Sequence, residues 1–482
     1  MRKGSIQLFL LSAVLLGQIS VRAAEIPLPS LPWSHVWQGR YQTTSYPVFN
    51  RALFGGPLRI GGTQYASGVC GHTPMSLTYN LEGAAEEFRA EIGVDDQDAS
   101  GDGQEETSVW FVVLADRREV LKREMKPGEK AQKIRIDLRG VSQLELRGAY
   151  GKGFRRQRPA FANPVFVTAE VERLRAVLKR SAQRDREQAA FSPDYPDAPA
   201  WKKIRIEKVV REPFRNAYRI SNGTLEMTVV PEFGGRLMEL RFVNGENLLA
   251  KNQKFNPAAM RIHGLSGDFA GGVFMRLLPA ENYFFPADTV LKHGCYSIAF
   301  PEEGTVVMRS AESSLFRVVY EYCYRLNGKQ VEMTFRIYNK APFSQPLGVW
   351  PILRVPWENL MLVEMPQERD AFKSKMGNAV EFRRSAEGYC AVLKPDCRQN
   401  DFFFLKYAGK KPEFRAMRND GTALHWRGSE MEGHQFFFSR RFVELEALSK
   451  VREVPPGGVA AFSGVLTVEQ TKTENQHNKI EF

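Results

Sequence analysis

The sequence predicts an all-β protein built as one antiparallel β-sandwich, a helical connector and a second, larger antiparallel sandwich. Three observations predict it. Short apolar segments alternate with polar residues and break at turn-forming residues every ten or so positions. One stretch near the middle has helical periodicity with no Gly or Pro. A proline cluster follows it, and strand patterning then resumes almost to the C-terminus.

The chain opens with Arg2 and Lys3, a mostly apolar run from Ile6 to Leu16, and Val21-Arg22-Ala23, which fits a small-residue cleavage site. This is the pattern of a secretory signal peptide over residues 1–23. No later apolar run reaches the 18 or so residues a membrane helix needs. The mature chain is therefore expected to be secreted or periplasmic, with no integral membrane segment after cleavage.

Residues 30–168 read as the first sandwich. SVWFVVLA (108–115) is an apolar strand, with Trp110 read as core, and Asp116-Arg117-Arg118 is a turn. Ile134, Ile136 and Leu138 alternate with charged residues, as Leu144 and Leu146 do with Glu145 and Arg147. Residues 169–200 are the connector. Val171, Leu174, Val177 and Leu178 line one helical stripe, and SPDYPDAP (192–199) is a stiff linker. Residues 201–470 return to strands at 225–230, 305–308, 316–326 and 331–338. Asn327-Gly328 between the last two is the strongest hairpin signal, and GGVFMRLLPAENYFFPAD (271–288) reads as loop. Residues 471–482 are a polar tail.

A 482-residue chain exceeds one ordinary core, and 43% hydrophobic residues mark it as globular. The formal charge of +12 suits an acidic polymer or a merely solvated basic surface. No Lys/Arg stripe interleaves with aromatics, so nucleic acid is not an expected partner. The five cysteines are scattered without a CxxC, which argues against a zinc cluster. Cys390 and Cys397 either pair across a short hairpin or stay as free thiols.

Three segments in order carry a resemblance: PLRIGGTQYASGVCGHTPMSLTYNL, FRAEIGVDDQDASGDGQEETSVWFVVLADRREV and ELRGAYGKGFRRQRPAFANPVF. Together they resemble the novel carbohydrate-binding modules found beside bacterial glycoside hydrolases. The resemblance implies a jelly-roll-like β-sandwich that binds a glycan or polysaccharide. Near its last strand that family usually carries an acidic residue and often His or Trp, where this chain has Arg158-Pro159-Ala160-Phe161. Sugar recognition needs exposed aromatic faces and planar polar groups, so Tyr65, His72, Arg147, Tyr150 and Arg155 are the candidate glycan contacts. His72 equally suits a structural donor on a bend that Gly68 and Gly71 would open to positive φ. Asp96, Asp98 and Asp102 put carboxylates at alternate positions around a glycine. That is either a candidate Ca²⁺ site or a solvated acidic turn.

NGTLEMTVVPEFGGRLMELRFVNGENLL and IYNKAPFSQPLGVWPIL are similar to segments of galactose-mutarotase-like domains, of the aldose 1-epimerase superfamily. The resemblance implies a β-supersandwich. The family's catalytic His has Trp350 in its place here, and its glutamate base has no clear counterpart. Trp350 can neither take nor give the protons of mutarotation, so aldose 1-epimerase activity is not expected. It can stack on a sugar ring or sit in a core. Arg276, Glu281 and His293 are the candidates for a rebuilt catalytic site, as in a lyase or hydrolase. Three readings stay open at this point: an exported glycan-binding protein, a glycoside hydrolase or polysaccharide lyase, and a structural surface protein. Acidic or sulfated polysaccharides are the first partners the charge suggests.

Overall fold

A computed structural model describes residues 23–38, 47–98, 107–152, 157–250, 271–283, 288–356, 360–365, 373–374, 380–385, 388–393, 403–407, 413–438 and 442–470. Residues 1–22 and 471–482, on which the expected leader and polar tail fall, and Cys397 lie outside them, and for Cys390 only the backbone strand is described.

The first strand, Ala24–Pro27, pairs antiparallel with Val165–Thr168. The N-terminal sandwich has a six-stranded and a five-stranded sheet. The six-stranded sheet runs Gln132–Asp137, Glu87–Val94, Pro159–Thr168, Gly68–Cys70 and Val48–Phe49, with Ala24–Pro27 beside Pro159–Thr168. The five-stranded sheet runs Arg118–Met125, Val109–Ala115, Gln143–Tyr150, Met75–Asn80 and His35–Gln38. Alternation decides the faces: Phe111, Leu77, Leu144 and Leu146 point inward with Phe88, Phe161 and Phe166. Burial of SVWFVVLA extends to the outer side of the sheet as well. Val112 and Leu114 are buried on the outer side, outside that core, whereas Trp110 is only half-buried under Lys122.

The predicted connector is α1, Val171–Ala189. Its stripe of Leu174, Val177 and Leu178 completes the N-terminal core. The proline-rich stretch lies against the second domain. Tyr195, Ala198 and Trp201 pack on its core, and Tyr218 Oη donates to Pro196 O at 2.5 Å.

The C-terminal part is an eleven-stranded sheet facing a ten-stranded one. The hairpin signal is accurate: Val318–Asn327 and Gln330–Asn339 flank Gly328, at φ +55°. The segment read as loop from residue 271 is instead a strand, Val273–Leu278, followed by α2, Ala280–Tyr283. Val273, Met275 and Leu277 alternate into the core and hold it in the sheet. The helix α3, Thr289–His293, follows, capped by Asp288, which accepts from Leu291 N at 2.9 Å.

The Gly234-Gly235 turn, visible in the sequence, has φ of +64° and +59°. A Cβ on Gly235 would lie 2.6 Å from Tyr296 Cδ1. Gly235→Ala combines a left-handed backbone with overpacking and is expected to cost about 1–3 kcal/mol, read from urea unfolding.

The two domains dock through polar groups. Gln143 Nε2 donates to Leu315 O at 3.0 Å, and Asn80 Nδ2 to Ser314 O at 3.3 Å. Arg117 lies 5.0 Å from the ring centroids of both Tyr283 and Phe316, and pairs with Glu145 behind it. The turn read at Asp116-Arg117-Arg118 is present, with Asp116 and Arg117 at positive φ. Its central side chain is buried because the second domain covers it.

Candidate functional site

Two places in the fold gather chemistry. The first is one end of the N-terminal sandwich. Register brings several loops there, stitched by Gly71 N to Pro159 O (3.1 Å), Thr73 N to Gln157 O (2.8 Å), Asp95 N to Arg158 O (2.9 Å) and Ser108 N to Lys152 O (3.1 Å). Phe54 stands on this end 49% exposed, and the Arg158 guanidinium lies 4.5 Å from its ring centroid. Gln97 Nε2 holds the same turn by donating to Gly55 O at 2.8 Å. Tyr150, 42% exposed, closes its strand at this end.

His72 comes to the same end but is buried. Its Nδ1 is 3.3 Å from Thr73 O, and its N–H donates to Gln38 Oε1 at 3.3 Å. Gly68 and Gly71 do not have positive φ; they are glycines for space. A Cβ on Gly68 would lie 2.4 Å from Leu58 Cδ2, and one on Gly71 2.7 Å from Met75 Sδ.

The other glycan candidates are elsewhere. Tyr65 donates to Glu91 Oε2 at 3.2 Å over the six-stranded sheet. Burial, then the Glu91 charge, pushes its hydroxyl up. Arg147 is buried on the outer face of the five-stranded sheet, with Nε donating to Glu145 Oε1 at 2.6 Å. Arg155 and Asp102 lie outside the described residues. Asp96 accepts from Gly61 N (2.7 Å) and Gly62 N (2.8 Å), so its carboxylate pins the hairpin that carries Tyr65. Asp98 ends the short helical turn Asp96–Asp98. No group of three or more His, Cys, Asp or Glu suited to a metal occurs among the described residues.

The second place is the outward face of the eleven-stranded sheet. Leu237, Val273, Met275, Val349, Leu353, Val443 and Leu445 point into the sandwich core. Their neighbours in sequence therefore point out. Register sets Arg276 opposite Trp350, Ile352 opposite Glu446 and Arg354 opposite Glu444. Trp350 is buried, with Nε1 donating to Glu446 Oε2 at 2.9 Å. Arg354 Nε donates to Glu444 Oε1 at 2.7 Å.

Glu444 and Glu446 lie two residues apart on one face of their strand, both buried, and their environments shift them in opposite directions. Burial and the Glu444 charge raise Glu446 well above the usual carboxyl range, against Arg276 and the Trp350 bond. Burial also raises Glu444, but Arg354 and Arg276 more than reverse it, so it falls below. Of the two, Glu446 is the carboxyl that keeps its proton to higher pH.

Around it, Arg276 is half-buried, 5.4 Å from the Trp350 ring centroid. Arg236 and Arg354 lie 4.3 and 4.9 Å from the centroid of Phe274. His293 is buried at the end of α3, stacked on Phe233 at 5.1 Å, and Phe233 in turn lies 5.4 Å from Arg236. Arg276 and His293 thus share this layer. Glu281 lies in α2, and its side chain is not among those described.

Sequence reasoning missed Phe54, Glu444 and Glu446. The strict alternation of FVELEAL was the available signal for the pair: two carboxylates on one face of a strand whose other face is core.

Residues 24–166 match the NPCBM/NEW2 domain. Among solved structures, CBM51 from Clostridium perfringens GH95, in complex with methyl-galactose, is 18% identical over 30% of this chain and 99% of its own, with a TM-score of 0.26. A galactose mutarotase-like protein from Clostridium acetobutylicum is 10% identical over 56% of this chain and 99% of its own, TM-score 0.39. One from Lactobacillus casei is 11% identical over 53% and 100%, TM-score 0.38. No curated protein matches. The N-terminal sandwich therefore carries a carbohydrate-binding domain match, and the structural neighbours of the second sandwich are mutarotase-like.

Proposed function

We propose that this chain is an exported carbohydrate-binding protein that holds a glycan on the loop end of its N-terminal sandwich. One observation carries the reading: the exposed ring of Phe54 with Arg158 stacked beside it, at the end where Tyr150 is also exposed. An aromatic face takes the C–H side of a sugar, and a planar guanidinium takes paired hydroxyls. Export is supported by the leader pattern and by a first strand that starts at Ala24, just past the expected cleavage point.

Immobilised glycans probed with the full chain test the binding. Phe54→Ala is expected to weaken retention by about three- to tenfold, from the loss of one stacking contact. Unchanged retention in this variant would move the site elsewhere, and no retention of any glycan by the intact chain would end the reading.

A second reading is favoured by Glu444 and Glu446, two buried carboxyls side by side on one strand face. The mutarotase-like sandwich is read as lacking its relatives' His, with Trp350 in that place, yet a carboxyl beside a carboxylate can give and take a proton at one point. On this reading the outward face is a rebuilt carbohydrate-active site of a hydrolase or lyase, with Arg276 and His293 in the same layer. Release of reducing ends, or absorbance from unsaturated uronate, on polysaccharide incubation is the expected signal. Its absence across neutral and acidic polysaccharides leaves the binding function alone.

A further inference from the structure

We propose that the outward face of the eleven-stranded sheet takes a sugar bearing a carboxylate, a uronate, with Arg276 meeting that group. The proposal rests on the second reading, that this face is a carbohydrate site, and adds the class of ligand.

Charge and exposure carry it. Arg236, Arg276 and Arg354 surround Phe274, with ring-centroid distances of 4.3, 5.7 and 4.9 Å. The carboxylates beside them among the described residues are Glu444 and Glu446. Arg354 is committed to Glu444, and Arg236 donates to Gly271 O at 3.0 Å. Both are buried, whereas Arg276 is half-buried, so it is the guanidinium a ligand reaches.

Register extends the face: Gln435 stands opposite Glu446 and Phe437 opposite Glu444. Both are, like Arg276, half-buried. An amide there suits ring hydroxyls and a phenyl ring suits the C–H face of the sugar. Among the described residues three guanidiniums stand against two carboxylates, so the patch gains from an anion that brings its own charge, and a planar carboxylate matches a guanidinium through two parallel bonds.

Saturation-transfer NMR on the full chain, with D-glucuronate and D-galacturonate against D-glucose and D-galactose, tests it. The uronates are expected to bind at least about tenfold more tightly, the scale of one charge-assisted bond. Arg276→Gln is expected to abolish that preference, and Arg276→Lys to keep part of it. Thermal unfolding shows whether the Gln variant is intact; if it is not, the Lys variant and the wild-type selectivity decide. Equal binding of neutral sugars and uronates overturns the proposal while leaving a carbohydrate site. A uronate preference that survives Arg276→Gln also overturns it. Failure of all four sugars to bind removes the second reading itself.

Discussion

Glu145→Ala is expected to cost about 3–5 kcal/mol of stability and to separate one unfolding transition into two. Glu145 is fully buried between Arg117, Arg147 and Ser76, whose Oγ donates to it at 2.7 Å. Removing it strands two buried guanidiniums in a low-dielectric site. Arg117 is also the group wedged between Tyr283 and Phe316 of the other domain, so the damage falls on the docking surface. Urea unfolding followed by two probes measures it. A variant within 1 kcal/mol of wild type, on the scale of an exposed ion pair, would show the network to be dispensable.

The same surface sets a pH dependence. Burial raises Glu145, but Arg147 and Arg117 more than offset this and hold it below its ordinary 4.5. Its contribution is complete above pH 4.5 and is lost as pH falls through the lower folded value. His35 runs the other way. Burial lowers it, but its bond to Asp185 and the charges of Asp185, Asp288 and Glu145 leave it above 6.5. That contribution is complete below pH 6.5 and is lost as pH rises through the folded value. Asp288, raised by burial, weakens the protein in the same direction as pH rises. Docking is therefore expected to loosen as pH rises above 6.5 through the folded His35 value, and His35→Gln to flatten that slope in unfolding free energies measured across pH.

Local chemistry made much of the fold readable. The stripe Leu174, Val177, Leu178 marked α1, the glycine at 328 marked the hairpin, and Gly234-Gly235 marked a turn that Tyr296 closes over. What stayed hidden depends on long-range placement. Arg147 read as a glycan contact and Arg117 as part of a turn, since nothing local announces that a second domain covers that sheet face. Gly68 and Gly71 suggested unusual φ, but the crowding that requires them comes from Leu58 and Met75 side chains. Phe54 sits between ordinary turn residues, and its exposure is visible only once the loops are assembled. Trp350 was identified as the odd residue of its segment, yet its Glu446 partner lies 96 residues away and is found only through register.

That partner gives the second large expectation, an asymmetry between adjacent carboxyls. Glu446→Gln should change stability by less than about 1 kcal/mol near neutral pH, because burial and the Glu444 charge favour the protonated form of Glu446, and the amide replaces it with a neutral side chain of the same shape. It also still accepts from Trp350 Nε1. Glu444→Gln should cost about 3–5 kcal/mol, because Arg354 then loses the carboxylate it was buried with. Turnover, if the outward face is catalytic, should show the reverse ranking for Glu446. The amide keeps the geometry but cannot release a proton, and general acid–base help of this sort is worth about 10²–10⁴-fold. Stability and polysaccharide turnover measured on both variants separate the roles. Equal destabilisation by the two glutamines would mean that both carboxyls are charged. The pH trend follows the same logic: Glu446, raised in the folded state, favours the fold while protonated and turns costly as pH climbs through its folded value, whereas in Glu446→Gln that alkaline loss should disappear.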